Sequence, residues 1–460
     1  MIKFGTDGWR AVISDEFTFA NVKKVAVAIA HYIHNHKLNS KPIIIGYDAR
    51  FLADKFAEAI AAVMEAAGID CFLCQRDTPT PVIAWEVKDL SACGAVVLTA
   101  SHNPPQYCGI KFIPHYSGPA NQEITKEIEN NLSLPPIAAG KKGKLERFEP
   151  KQRYFKYIEK FFDVESIKKA KLEIVVDPMF GSGRGYLDAL LESYGCKIEE
   201  IHGVRDVLFG GQNPEPEEAT LSELASKVKE TKSALGLALD GDADRFGVVD
   251  ELGKFYSANQ MFAILFEYLV AEKGYTGSVV RSVGTTHMID AIAKLHNIKV
   301  KETPVGFKHI ADIMMKEDVI IGGEESGGIT IKGHIPEKDG LLANVLVVEM
   351  LAKRGKPLSR IWEELELKIG KYDCRRNKIK LEENKKSEVL EKLKNNLPKE
   401  VCGVKVAEVN TIDGVKIILA DGSWFLIRPS GTEPLVRLYI ESKDKADIIE
   451  KFCYNLIGGT

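Results

Sequence analysis

Pro42-Ile43-Ile44-Ile45-Gly46 is an apolar run closed by a polar turn; the Ala-rich, helix-patterned stretch Phe56 to Ala67 follows, and a short strand begins at Ile69. The same order returns twice. Glu173-Ile174-Val175-Val176 leads through Gly181 to Gly185 into Tyr186 to Tyr194 and Gly195, then Lys197-Ile198. Ser278-Val279-Val280 leads through Gly284-Thr285-Thr286 into Met288 to His296, then Ile298-Lys299-Val300. Strand, loop, helix and strand in this order predict α/β layers in which loops at strand ends carry the chemistry. After Lys371 the pattern changes to paired strands, Val415 to Leu419 and Trp424 to Ile427, a third at Leu435 to Ile440, and a closing helix from Lys443. The expected organisation is three α/β domains, 1–145, 146–252 and 253–368, and a smaller α+β domain, 369–460. Breaks are drawn at the Pro/Gly/Lys-rich Leu134 to Lys144, the turn Asp250 to Gly253, and Lys368 to Asp373.

Composition agrees with several cores and narrows the partners. At 460 residues the chain exceeds the length at which one core keeps growing, so roughly three or four units are expected. Apolar residues at 45% and charged residues at 28% exclude a disordered chain. With a net charge of −3 there is no global basic field to draw nucleic acid or anionic membrane, so an anionic ligand must be held locally. The sequence from Met1 to Asp7 lacks a basic region followed by an apolar stretch, and no run of about 18 apolar residues occurs, which predicts a cytoplasmic enzyme. The eight cysteines form no dense framework, and Cys71 and Cys74, three apart on a strand, point to opposite faces, which favours buried thiols over a redox or zinc pair.

Four loops carry groups with chemical potential. Thr99-Ala100-Ser101-His102-Asn103-Pro104-Pro105 follows the strand pattern Gly94 to Leu98, so Ser101 stands at a strand end as a positioned nucleophile or as a turn serine. His102 is a base for Ser101 or a turn residue, since adjacent side chains on an extended turn diverge. Leu239-Asp240-Gly241-Asp242-Ala243-Asp244-Arg245 sets three carboxylates at alternate positions. Their repulsion at about 4 Å is on the order of 4 kcal/mol per pair at an effective dielectric near 20, and a bound cation removes it. Oxygen donors of this kind suit Mg²⁺, Mn²⁺ or Ca²⁺, the alternative being a solvated charge cluster, which the apolar flanks disfavour. An EF-hand is excluded because Arg245 stands where that loop needs glycine and the flanks are strand-like. Gly322-Gly323-Glu324-Glu325-Ser326-Gly327-Gly328 reads as a plain loop or as a sugar site. Ile427-Arg428-Pro429-Ser430-Gly431-Thr432-Glu433-Pro434 has the makings of a phosphate nest, unless Arg428 pairs with an acidic neighbour. Gly181-Ser182-Gly183-Arg184-Gly185 imitates a dinucleotide fingerprint, but its third glycine falls on Tyr186 and no P-loop lysine is present.

Taken together with Gly5-Thr6-Asp7-Gly8-Trp9-Arg10, these loops occur in the order and approximate spacing of the α-D-phosphohexomutase family, which the chain resembles across residues 1 to 440. It is most similar to the bacterial phosphoglucomutase/phosphomannomutase members. The resemblance implies four domains around a central cleft, three α/β and a last one of the TATA-binding-protein-like α+β type. It implies a mutase that moves phosphate between O1 and O6 of glucose or mannose through a phosphoserine and a hexose 1,6-bisphosphate intermediate, which also serves as activator. On that likeness Ser101 is the phosphoserine, and Asp240, Asp242 and Asp244 hold Mg²⁺ together with a Ser101 phosphate oxygen. Arg10, Lys111 and Arg245 surround the reacting phosphoryl group, with His102 beside it. Gly306, Glu324 and Ser326 contact the sugar, and Arg428, Ser430, Gly431 and Thr432 grip the other phosphate.

Two departures from the pattern matter. Some phosphomannomutase-type members carry histidine where this chain has Gly328 and threonine where it has Val305. Gly-Glu-Glu-Ser together with His334-Ile335-Pro336-Glu337-Lys338-Asp339-Gly340 is more like the α-phosphoglucomutases, which favours Lys111 or Lys338 for proton transfer and glucose over mannose. Phosphoglucosamine mutase is the nearest alternative, disfavoured because that branch usually has Gln where Glu325 stands. A metal-dependent serine phosphohydrolase and a non-catalytic sugar-phosphate binding protein are the others. The expected partners are small sugar phosphates, with no nucleic acid and no membrane, for a monomer or small homo-oligomer.

Overall fold

Ile43–Tyr47 and Cys71–Cys74 pair in parallel, and the helix Ala53–Ala66 crosses between them. Glu173–Asp177 with Lys197–Glu200, and Ser278–Ser282 with Val300–Thr303, repeat that arrangement around Leu187–Ser193 and Met288–Leu295. In the computed structural model, which describes residues 2–5, 7–381, 393, 397–429 and 435–458, each unit then continues in one way. A second helix (Thr80–Asp89, Ser222–Thr231 or Phe307–Met314) leads to a third strand, parallel to the first on its other side (Gly94–Leu98, Leu235–Leu239 or Val319–Gly323). A return strand then runs back antiparallel to the third: Tyr107–Pro114, Phe246–Asp250 or Ile329–Ile331. The third strands are apolar throughout because helices cover both faces of a parallel sheet. Leu235–Leu239 and Val319–Gly323, for example, are buried at every position.

The hairpin between third and return strand is where the three units place their polar loops: Ser101 in the first, Asp240 to Asp244 in the second, Glu324 to Ser326 in the third. The strand Leu145–Phe148 straddles the expected 145/146 boundary and pairs with Cys71–Cys74 in the first sheet. Phe255–Tyr256, beyond residue 252, pairs in the second.

The C-terminal unit is a six-stranded antiparallel sheet in the order Asp373–Lys380, Leu435–Ser442, Trp424–Pro429, Val415–Leu419, Val404–Asn410, Glu400–Val401. One face packs Ile379, Ile417, Phe425, Ile427, Leu438 and Ile440 under the helix Ala446–Ile457. The α+β expectation therefore holds.

The helix Gly340–Arg354 ties the second and third units into one core. It is buried from Gly340 to Leu351, starts on the Asp339 side chain, which accepts from the Leu342 N–H, and ends at Gly355 in left-handed backbone, φ 59°. A helix buried on every side along that stretch, apolar there but for Asn344 and Glu349, which are hydrogen-bonded to Ala238 and Lys273, has to be central. Its first residue is also a close approach, since a Cβ on Gly340 would lie 2.4 Å from the Arg245 carbonyl oxygen. Lys338 is thereby seated against the acidic loop. Among the described residues no helix is long and apolar enough to cross a membrane.

Candidate active site

The Ser101 loop is held from behind by a buried arginine. Arg50 follows the first strand, as Ser101 follows the third, and its Nη2 donates to the carbonyls of Ser101 (2.6 Å) and Asn103 (2.7 Å). Its Nη1 donates to those of Pro104 (2.8 Å) and Tyr107 (2.9 Å), and its Nε to Asp48 Oδ2 (3.1 Å). The rigid fork of a guanidinium can satisfy several carbonyls at once, which a lysine cannot. Thr99 completes the frame, donating from Oγ1 to Asp48 (2.6 Å) and accepting from the Ser101 N–H (2.8 Å). Ser101 itself lies in left-handed backbone, φ 49°, a conformation uncommon for a residue with a Cβ and typical of functional turns.

That curl brings His102, a base or a turn residue by its sequence, up to the serine. The turn is not extended, so the side chains of Ser101 and His102 converge, with Oγ 3.3 Å from Nδ1. His102 is held neutral: burial comes first, and the charges of Arg245, Arg10, Arg376 and Lys338 push its pKa well below the ordinary value.

Ser101 Oγ donates to Asp240 Oδ2 at 2.7 Å. Asp240, Asp242 and Asp244 are all fully buried, and one oxygen from each lies within 4.8 Å of the others. Lys111 Nζ reaches Asp242 Oδ2 (2.9 Å), Asp244 Oδ2 (2.8 Å) and Asp7 Oδ2 (3.0 Å), and Lys338 Nζ reaches Asp244 Oδ2 (2.9 Å) and Asp7 Oδ2 (3.2 Å). The repulsion anticipated for the acidic loop is thus already shared out to two ammonium groups. Burial would raise the Asp242 pKa, but Lys111 outweighs it and keeps the carboxylate ionised. In Asp240 burial and the charges of Asp242 and Asp244 act together and raise the pKa well above the ordinary range.

The donor set fits a hard divalent cation. Asp242 Oδ1 and Asp244 Oδ1 are buried with no hydrogen-bond partner, a costly state for carboxylate oxygens unless a cation satisfies them. Thr80 donates from Oγ1 to Asp242 Oδ2 at 2.7 Å, which fixes how the carboxylate turns.

Arg10 donates to Asn103 Oδ1 (2.6 Å) and Asp7 Oδ2 (3.3 Å), at the rim of the Ser101 loop. Arg245 pairs with Glu215 (3.2 Å) and gives its N–H to Asp240 Oδ1 (3.0 Å). Glu324 is buried and accepts from the Gly306 N–H at 2.7 Å; burial first, then the Glu325 charge, raise its pKa to about 7. Ser326 is half-buried at the tip of the same hairpin. Glu325 bridges two units, accepting from Ser282 (2.9 Å) and from Tyr439 (3.2 Å). Arg428 does pair with an acid, donating from Nε to Asp413 Oδ2 at 2.6 Å, and the same carboxylate oxygen accepts from the Val305 N–H at 3.1 Å. Ser430, Gly431 and Thr432 lie outside the described residues. The decoy glycine segment is structural: Arg184 is buried and reaches Asp77 Oδ2 at 2.6 Å.

Sequence reasoning assigned no role to Asp7, Arg50, Thr80, Glu215 or Asp413. Only Asp48-Ala49-Arg50 carried a signal, a polar turn at a strand end like the others.

Comparison with known proteins gives a consistent picture. Models of phosphoglucomutase/phosphomannomutase alpha/beta/alpha domains I, II and III match residues 1–134, 152–253 and 257–368, and that of the C-terminal domain matches 378–453. A phosphoglucomutase/phosphomannomutase of Thermococcus kodakarensis is 32% identical over 96% of this chain and 95% of its own. A phosphoglucosamine/phosphogalactosamine mutase of Sulfurisphaera tokodaii is 31% identical over 96% of this chain and 95% of its own. Among solved structures, an Aspergillus fumigatus N-acetylphosphoglucosamine mutase in complex with GlcNAc-6P and magnesium aligns at a TM-score of 0.60 and 14% identity, over 100% of this chain and 95% of that one, a likeness of fold alone.

Proposed function

The chain belongs to the phosphoglucomutase/phosphomannomutase family, and on that premise we propose that it interconverts hexose 1-phosphate and hexose 6-phosphate, of glucose or mannose, through a phosphorylated Ser101 and a hexose 1,6-bisphosphate. The observation that carries this reading is the hydroxyl of Ser101 at 2.7 Å from Asp240 inside a buried triad of carboxylates. A nucleophile beside three acids is useful only if the group it carries is matched to a cation, as phosphate is to Mg²⁺. A Mg²⁺ ion held by Asp240, Asp242 and Asp244, and by a Ser101 phosphate oxygen, would draw charge from the phosphoryl oxygens.

The remaining chemistry belongs to the side chains. In the forward half-reaction the sugar hydroxyl attacks the phosphorus on Ser101, the Oγ–P bond breaks, the sugar proton passes to a neighbouring base, and the leaving Ser101 Oγ takes a proton from a neighbouring acid. Lys111 and Lys338, ammonium groups against Asp244 and Asp7, can give a proton to the departing Ser101 Oγ, and the neutral His102 at the serine itself can take the Ser101 proton when the serine attacks in the return step. Arg10, Lys111 and Arg245 supply positive charge where the loose transition state spreads its negative charge. Glu324, Gly306 and Ser326 orient the sugar; Arg428, with Ser430, Gly431 and Thr432, holds the remote phosphate. The bisphosphate then turns and returns its other phosphate to Ser101.

A second reading, glucosamine phosphate as substrate, draws on the amino-sugar name of the Sulfurisphaera relative. A coupled assay on glucose 1-phosphate, mannose 1-phosphate and glucosamine 1-phosphate separates the two. Intact mass before and after glucose 1,6-bisphosphate tests the core claim: one phosphate is gained in the native chain and none in Ser101→Ala. Full mutase activity in Ser101→Ala would sink the proposal.

A further inference from the structure

The face of the C-terminal sheet turned away from its helix is basic. Pairing register sets Arg376 opposite Tyr439 and Tyr439 opposite Leu426; two residues along, Lys378 lies opposite Arg437 and Arg437 opposite Arg428. Alternation along a strand puts all of these on one side, while Ile379, Leu438 and Ile427 point to the helix. Tyr439 shows where this side looks, since its hydroxyl reaches Glu325 of the third unit's sugar loop.

Arg376 stands out on that face. Its sequence neighbour Arg375 points the other way and is fully paired, with Asp373, Asp447 and Glu450 at 2.8, 2.8 and 2.6 Å. The Arg376 side chain makes neither a hydrogen bond nor an ion pair among the described residues, and its Nε is buried without a partner. It is nevertheless near enough for its charge to be felt by His102 of the first unit, and to feel Glu215 and Arg245 of the second and Glu325 of the third. Removing a guanidinium from water without pairing it is costly. A structural arginine would have found a carboxylate, as Arg281 finds Asp290 at 2.7 Å.

We infer that Arg376 is a further substrate-binding residue, contributed by the C-terminal unit, whose guanidinium meets the sugar phosphate at the Ser101 centre. This rests on the mutase reading above. Arg10, Lys111 and Arg245 reach that centre from the first two units and Lys338 from the third, so Arg376 makes its charge depend on the fourth. Positive charge then becomes complete only when the C-terminal unit sits over a bound phosphate, in the manner of an arginine supplied in trans to a phosphoryl transfer.

The test uses the full chain with glucose 1,6-bisphosphate as activator and as calorimetric probe. Arg376→Ala should lower kcat/KM in both directions by about ten- to a hundredfold and weaken bisphosphate binding, and Arg376→Lys should recover part of both. The thermal midpoint should stay unchanged or rise, because a half-buried cation whose Nε has no partner has been removed; a structural arginine would give the opposite. Activity and bisphosphate affinity within about twofold of the parent would overturn the inference. So would losses that follow a matching drop in midpoint in both variants. If the parent chain converts no hexose phosphate, the mutase reading fails and takes this one with it; a normal parent with an indifferent Arg376→Ala removes Arg376 alone.

Discussion

A Cβ on Gly328 would lie 2.4 Å from Cδ and 2.7 Å from Cγ of Lys338, so the lysine stem occupies the space that any side chain at 328 would need. Histidine at this position, as in some members of the family, and Lys338 in its present seat exclude each other sterically. Gly328→Ala should therefore push Lys338 off Asp244 and Asp7 and lower kcat about tenfold or more while the fold persists, as steady-state kinetics alongside the thermal midpoint would register. Thr80 offers a second residue-scale test. Thr80→Val keeps the shape and loses the hydroxyl that orients Asp242, so metal affinity should fall about tenfold. Titration of the unphosphorylated protein with Mn²⁺ reads this directly, and affinity equal to the parent's would remove Thr80 from the metal's surroundings. The three aspartates were legible because their spacing is local and electrostatically unusual. Thr80 was not, because its partner lies 162 residues away and a lone threonine between prolines carries no pattern.

The helix Thr80–Asp89 that presents Thr80 also hides a carboxyl group. Glu86 is buried, one oxygen has no partner and the other accepts from Arg153; burial comes first and lifts its pKa to about 8. Because the folded-state value is raised, the fold prefers the protonated acid: the contribution is complete below the ordinary carboxyl range and is lost as pH rises through about 8. Glu86→Gln should then be more heat-stable than the parent at pH 9, with the gap closing towards pH 5, as melting curves at both pH values would reveal. Elements of this kind were readable from periodicity: the strand at Ile43, the helices after it and the return to antiparallel strands beyond Lys371 are all present. Periodicity revealed the hairpin added to each α/β unit only in the second, where both flanks of the acidic loop read as strands. Val319 to Ile321 read as a strand, but its return partner is only Ile329–Ile331, too short to show alternation. The left-handed turn at Ser101 was equally hidden, because Arg50 imposes it from a distant strand end.

Across the whole molecule, Asp413 joins Arg428 to the third unit by accepting from both its Nε and the Val305 N–H. Arg428→Ala should weaken both directions of the reaction about ten- to a hundredfold without preventing phosphorylation of Ser101, since a charge-assisted hydrogen bond contributes about 1.5 to 3 kcal/mol. Kinetics in both directions, with release of free bisphosphate measured in parallel, decide it; no change in either would exclude Arg428 from the site. The buried core has a thermal counterpart. Apolar side chains run without a break from Ile44 in the first sheet through the helix Gly340–Arg354 to Ile369, whereas the C-terminal sheet keeps its own cluster around Ile417 and Phe425 and meets the rest through a small group, Val283, Trp424, Leu426 and Tyr439. Cooperative melting follows continuity of packing, so a heated solution should absorb heat in two steps, the C-terminal unit as one calorimetric domain and the remainder as the other. A bisphosphate clasped between them would add its binding free energy to both, and the two heat-absorption peaks should draw together as its concentration rises.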